Sequence, residues 1–123
     1  MVNHQIIDDR DTSLTVEDLA VLRANLDEQR LFRQEQLEQI SAAATSRADA
    51  LLQRQASQVE VRVKLAASAR MVLADVEAAL ERMDDGSYGV CHLCRSPIAR
   101  ERLEIVPQAR YCARCQQVRE AGR

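Results

Sequence analysis

No glycine or proline occurs in the first 85 residues of this 123-residue chain; all five of them (Gly86, Gly89, Pro97, Pro107 and Gly122) come later. Nothing in that first stretch breaks a helix, and it is rich in Ala, Leu, Glu, Gln and Arg, the residues that lose least on entering one. Long helices are its expected state. A large globular core is excluded as well: 18 of the hydrophobic residues are Ala, the aromatics are Phe32, Tyr88 and Tyr111, and there is no Trp. Because hydrophobic stabilisation scales with apolar area, such a chain must bury narrow seams, associate, or be stapled by a metal.

The helix boundaries can be read locally. In Leu14-Thr15-Val16-Glu17-Asp18-Leu19, Thr15 can cap, Asp18 can supply the carboxylate of a capping box, and Leu14 can staple onto Leu19. A stripe of Leu19, Leu22, Leu26, Leu37, Ile40 and Ala44 follows, blurred around Gln29 to Arg33. Val59, Val63, Ala66, Ala69, Leu73, Val76, Leu80 and Met83 then recur every three or four residues, the spacing of a left-handed coiled-coil seam. Small residues at Ser41 to Ser46, with Ser46 and Asp49 as a second capping box, make this the best place for a turn. The reading is mainly α: a long antiparallel coiled-coil hairpin over 15–85, with helices at about 15–43 and 47–84, after a flexible N-terminus at 1–14. The alternative is one long helix paired with another chain. Gly86 supplies the left-handed residue that closes the second helix.

Residues 86–123 carry a different text. Cys91, Cys94, Cys112 and Cys115 form two C-x2-C pairs separated by seventeen residues, a four-cysteine zinc pattern. Two knuckles of this kind supply four thiolates in a tetrahedron with no open position for a substrate water, so one structural Zn2+ is expected. A disulfide or redox pair explains two equally spaced knuckles less well. His92, inside the first knuckle, reads as an exposed loop residue. Ser96-Pro97 reads as a cap and first-turn proline, opening a helical turn through Arg102. Arg95, Arg100, Arg102, Arg110 and Arg114 surround the centre, where charge compensation and partner binding are both available roles; Arg95, Arg100 and Arg102 are the partner-binding candidates.

The formal charge of −2 is unevenly divided, at −6 over residues 1–90 and +4 over 91–123. The acidic hairpin argues against binding nucleic acid along the whole chain, since that draws its strength from Lys and Arg. No apolar run approaches a membrane span and the start lacks the apolar core of a signal peptide; a cytoplasmic, non-membrane protein, a monomer, is expected.

The run Asp84-Asp85-Gly86-Ser87-Tyr88-Gly89-Val90-Cys91, then Cys94, Ile98, Glu101-Arg102-Leu103-Glu104, Pro107 and Cys112-x-x-Cys115 resembles the TraR/DksA family of zinc-finger transcription regulators, strongly over residues 81–118 and more loosely in the hairpin. The resemblance implies a coiled-coil hairpin projecting from a zinc-finger part. It implies a protein that binds RNA polymerase rather than DNA, inserting its hairpin into the secondary channel so that the tip alters promoter-complex stability. The family's tip motif is Asp-x-x-Asp-x-Ala; the corresponding segment is Ser46 to Leu51, which keeps Asp49 and has Ser46 in place of the first acid. Members that respond to guanosine tetraphosphate tend to carry basic residues where this chain has Val106 and Gln116, so that response is not implied here.

No nucleophile is paired with a base and no open metal position is present, so an enzyme is not expected. Two other readings remain: a zinc-ribbon nucleic-acid binder using the Arg-rich end, poor in the aromatic groups on which bases stack, and a structural coiled-coil dimer.

Overall fold

The computed structural model describes residues 14–45 and 56–122. Two helices of 30 residues each, α1 (Val16–Thr45) and α2 (Ala56–Asp85), each run about 45 Å at the helical rise of 1.5 Å per residue. The first helix continues two residues past its expected end at 43. The expected start of the second at 47, the turn at Ser46 and the candidate tip residue Asp49 lie outside the described residues, as does most of the N-terminal segment.

The two helices are antiparallel partners in one chain. Arg23, near the start of α1, donates to Asp84, at the end of α2, at 2.7 Å, while Ile40 lines one groove with Val59 at the other end of the pair. Leu22 and Leu80 share one apolar cluster. The hairpin therefore replaces the single-helix alternative.

Local chemistry starts the first helix and stops the second as the sequence predicts. The Thr15 hydroxyl accepts from the Asp18 amide at 2.9 Å, and the Asp18 carboxylate accepts from the Thr15 amide at 3.0 Å, which satisfies two donors that a helix start leaves orphaned. At the far end Gly86 has φ +84°, and the Ser87 amide reaches back to the Arg82 carbonyl at 2.9 Å, a Schellman closure.

Burial is concentrated at the closed end. Leu22 and Leu26 of α1 and Val76, Ala79 and Leu80 of α2 pack with Tyr88, Cys91, Ile98, Leu103 and Ala109 from the following segment. The hairpin base and the cysteine-bearing part thus share one core. Farther along, Ala66 and Ala69 are the buried seam residues, and Val63 is 61% exposed. The blurred stretch of α1 is bridged by Gln29 and Arg33, both half-buried, with Arg33 donating to Gln36 at 2.9 Å; Leu31 and Phe32 face outward instead.

Two short helices complete the described chain: α3 (Arg100–Ile105) and α4 (Ala113–Ala121). The expected turn beginning at Ser96-Pro97 does not form. Pro97 instead makes an antiparallel bridge to Val90, with Cys91 donating to the Ser96 carbonyl and Ile98 to the Gly89 carbonyl, both at 2.8 Å. Backbone pairing across the first knuckle occupies these residues, and the helix starts only after Ala99.

Candidate metal centre

Each C-x2-C pair sits where the backbone curls. In the first, Arg95 donates its amide to the Cys91 carbonyl at 3.0 Å, and the turn closes with Arg95 in the left-handed region at φ 65°. In the second, Cys112 is the N-cap of α4, its sulfur accepting from the Cys115 amide at 3.4 Å. The His92 amide donates to the Arg110 carbonyl at 2.8 Å, which ties the knuckles together.

The four Sγ atoms lie within 4.8 Å of one another, with Cys94 and Cys112 at 3.9 Å. A tetrahedron with Zn–S bonds of about 2.3 Å has edges of about 3.8 Å, so the cluster fits one zinc ion closely. Cys91 is fully buried, Cys112 and Cys115 are half-buried, and Cys94 is exposed.

The thiols are unequal. Burial opposes ionisation of Cys91, but the amides of Cys94, Cys112 and Leu93 outweigh it and bring the thiol down to about 6. The Ser96 amide and hydroxyl lower Cys94. Cys115 is pushed up to about 12, first by its contact with Cys112, then by burial and by the other two sulfurs. Without a cation, four converging sulfurs retain a proton; a divalent ion removes the reason for retaining it.

The arginines expected around the centre do different things. Arg100 turns away to Asp18, at 3.1 Å. Arg102 donates through Nε to the Tyr111 carbonyl at 2.9 Å, and Arg110 pairs with Asp75 of α2 at 3.0 Å. Arg95 lines a groove with Arg82, Ser87, Val90 and His92. Arg114 lines a second groove beside Cys94, Cys112 and Cys115. His92 is exposed, as expected, and meets the Tyr111 ring edge-on at 6.0 Å; burial, with Arg82, Arg110 and Arg95 nearby, lowers its pKa. Asp18 and Asp75, the acids that hold the arginines of this part, carry no signal for that role, because their partners lie far along the chain.

No described helix is long and apolar enough to cross a membrane.

A family model for the prokaryotic dksA/traR C4-type zinc finger matches residues 86–121. Among curated proteins, an uncharacterized protein of Aquifex aeolicus (strain VF5) is 40% identical over 52 residues, 41% of this chain and 36% of that protein. General stress protein 16O of Bacillus subtilis (strain 168) is 47% identical over 47 residues, 38% of this chain and 29% of that protein. The matches thus span about a third of those relatives' length. The solved structure of transcription factor DksA2 from Pseudomonas aeruginosa has a TM-score of 0.73, with 24% identity, and covers 89% of this chain and 88% of that one. The segment that carries the four clustered sulfurs is similar to the dksA/traR C4-type zinc finger, and the chain shares its fold with DksA2.

Proposed function

We propose that the chain regulates transcription by binding RNA polymerase through its secondary channel, and that it acts by contact rather than catalysis. The observation that carries this reading is the likeness of fold to DksA2 over 89% of this chain. Residues 15–85 are then the probe and 86–123 the body that seats it.

Cys91, Cys94, Cys112 and Cys115 hold one zinc ion, which supplies folding energy and no reaction chemistry. The ion fixes the knuckles, the knuckles fix Tyr88, Ile98 and Leu103, and these grip the base of the hairpin. Asp49, with Ser46 three residues before it in sequence, is the tip group that acts near the polymerase active site, while docking depends on the hairpin flanks and the zinc part, Arg95 included. An acidic hairpin avoids adhering to the template and product strands.

Retention on core RNA polymerase at raised salt, followed by transcription in vitro with and without the protein, tests the reading. Asp49→Asn is expected to leave folding and affinity nearly unchanged and to abolish the effect on promoter complexes. Binding to bare DNA that collapses with salt, without polymerase binding, would replace this reading with the nucleic-acid one.

A further inference from the structure

Beside the first knuckle lies a groove of about 440 Å³ lined by Arg82, Ser87, Val90, His92 and Arg95. Among the described residues, neither the Arg82 nor the Arg95 guanidinium makes an ion pair, or a hydrogen bond to a cysteine sulfur. The Asp85 carboxylate, three residues along from Arg82, accepts instead from the Ser87 amide at 2.9 Å and hydroxyl at 2.6 Å, and attracts Arg82 only at longer range. Asp75 is taken by Arg110. Arg82 Nη2 and Arg110 Nε are buried with no acceptor.

Both arginines are held there against a cost. Arg82 sits half-buried in the last turn of α2, and burial, with Arg110 close by, lowers its pKa. Arg95 is the described non-glycine residue with positive φ, at 65°, a conformation disfavoured for a residue with a side chain and open to glycine. Two guanidiniums line one concavity; Asp75 and Asp85 attract Arg82 without either being within ion-pair distance of it, and an anion bound there would satisfy the buried Nη2.

We propose that this groove is an anion site, in which Arg82 and Arg95 clasp the phosphoryl group of a small phosphorylated molecule. The planar guanidinium fork matches tetrahedral phosphate oxygens in bidentate fashion. The groove is larger than one oxyanion, so a phosphoryl group attached to a further body fits it better than a bare ion. Arg95 is shared with the docking surface proposed above, and the test of the anion site needs no polymerase.

The test is titration of the zinc-loaded full chain with inorganic phosphate and with pyrophosphate at constant ionic strength, followed by amide and arginine Nε shifts in NMR. Saturable shifts confined to Ser87, Val90, His92 and Arg95 are expected. Arg82→Gln and Arg95→Gly should each weaken binding at least about tenfold, the loss of one charge-assisted contact, and Arg119→Gln should not. Arg95→Gly relieves the backbone as it removes the charge, so it stays informative if Arg82→Gln fails to fold. Tighter binding of pyrophosphate identifies a diphosphate ligand, and equal binding identifies a monophosphate. No saturable shift would mean that the arginines only offset the charge of the thiolates; binding of a poly-glutamate peptide without phosphate binding would make the groove a protein contact. Either result overturns the proposal.

Discussion

Asp18 and Arg100, 82 residues apart, meet at 3.1 Å, and the same carboxylate completes the capping box with Thr15. One side chain therefore starts the first helix and fastens it to the short helix behind the zinc knuckles. The Thr15 amide, then the Arg100 guanidinium, hold its carboxyl below the usual carboxylate range. Because the folded-state pKa is depressed, this contribution is complete above the ordinary aspartate value of 3.8 and fades as pH falls through the lower folded value. Asp18→Ala should destabilise more than Arg100→Gln, since it removes cap and ion pair together. Thr15→Ala should cost about 1 kcal/mol. Urea unfolding of the zinc-loaded chain ranks the three, and a larger loss for Arg100→Gln would refute the shared role.

Metal removal should unfold more than the finger. Cys91 belongs to the same buried cluster as Leu22, Leu26 and Leu80, so chelation is expected to melt residues 86–121 and to loosen the hairpin base, while much helical circular dichroism survives. Intact amide signals across the knuckles after chelation would contradict this.

Zinc affinity should rise with pH. At neutrality Cys91, at about 6, is already mostly ionised, whereas Cys115, at about 12, is protonated, so binding must expel at least one proton. Below pH 6 a second is expelled and affinity falls more steeply. Calorimetry in buffers of different ionisation enthalpy counts these protons, and a count of zero at pH 7 would exclude the assignment.

Tyr88 is buried and its hydroxyl donates to the Pro107 carbonyl at 2.7 Å. Tyr88→Phe leaves that acceptor unpaired and should cost about 1–3 kcal/mol. Burial pushes the phenol up from 10.0 to about 12, so the folded state resists ionisation and the wild-type chain should lose stability as pH rises from 10 to 12. That loss should be absent in Tyr88→Phe, as alkaline urea titrations would show.

Position along the seam should decide the cost of truncation. Leu26 is 0% exposed, and its replacement by Ala should cost about 2–5 kcal/mol. Val63, 61% exposed, should tolerate the same change within about 0.5 kcal/mol. Equal losses in urea unfolding would show that burial does not grade along the hairpin.

What the sequence reveals here is local. Thr15, Asp18 and Gly86 act through hydrogen bonds spanning three to five residues, and the cysteines announce themselves by spacing, so caps, stop and metal cluster are all legible. Gln29 and Arg33 look like an interruption because periodicity counts apolar residues, yet long polar side chains can lay their stems along a seam. Pro97 looks like a helix start; its bridge to Val90 is decided by the opposite side of the knuckle. The pairs Asp18–Arg100 and Asp75–Arg110 join segments whose proximity exists only once the hairpin has folded, and no window of sequence contains both members.

Alanine at positions 66 and 69, where the helices meet beyond the core, also sets a width. Small contact residues let two axes approach toward the near end of the usual 8–10 Å separation, and each helix with its side chains is about 10 Å thick. The projecting half is thus a blade about 10 by 20 Å in section, its slenderness obtained by leaving out the bulky side chains that would have stiffened it. Larger residues at these two positions would thicken the blade, so the gauge of any passage it enters could be measured by the smallest substitution that blocks entry.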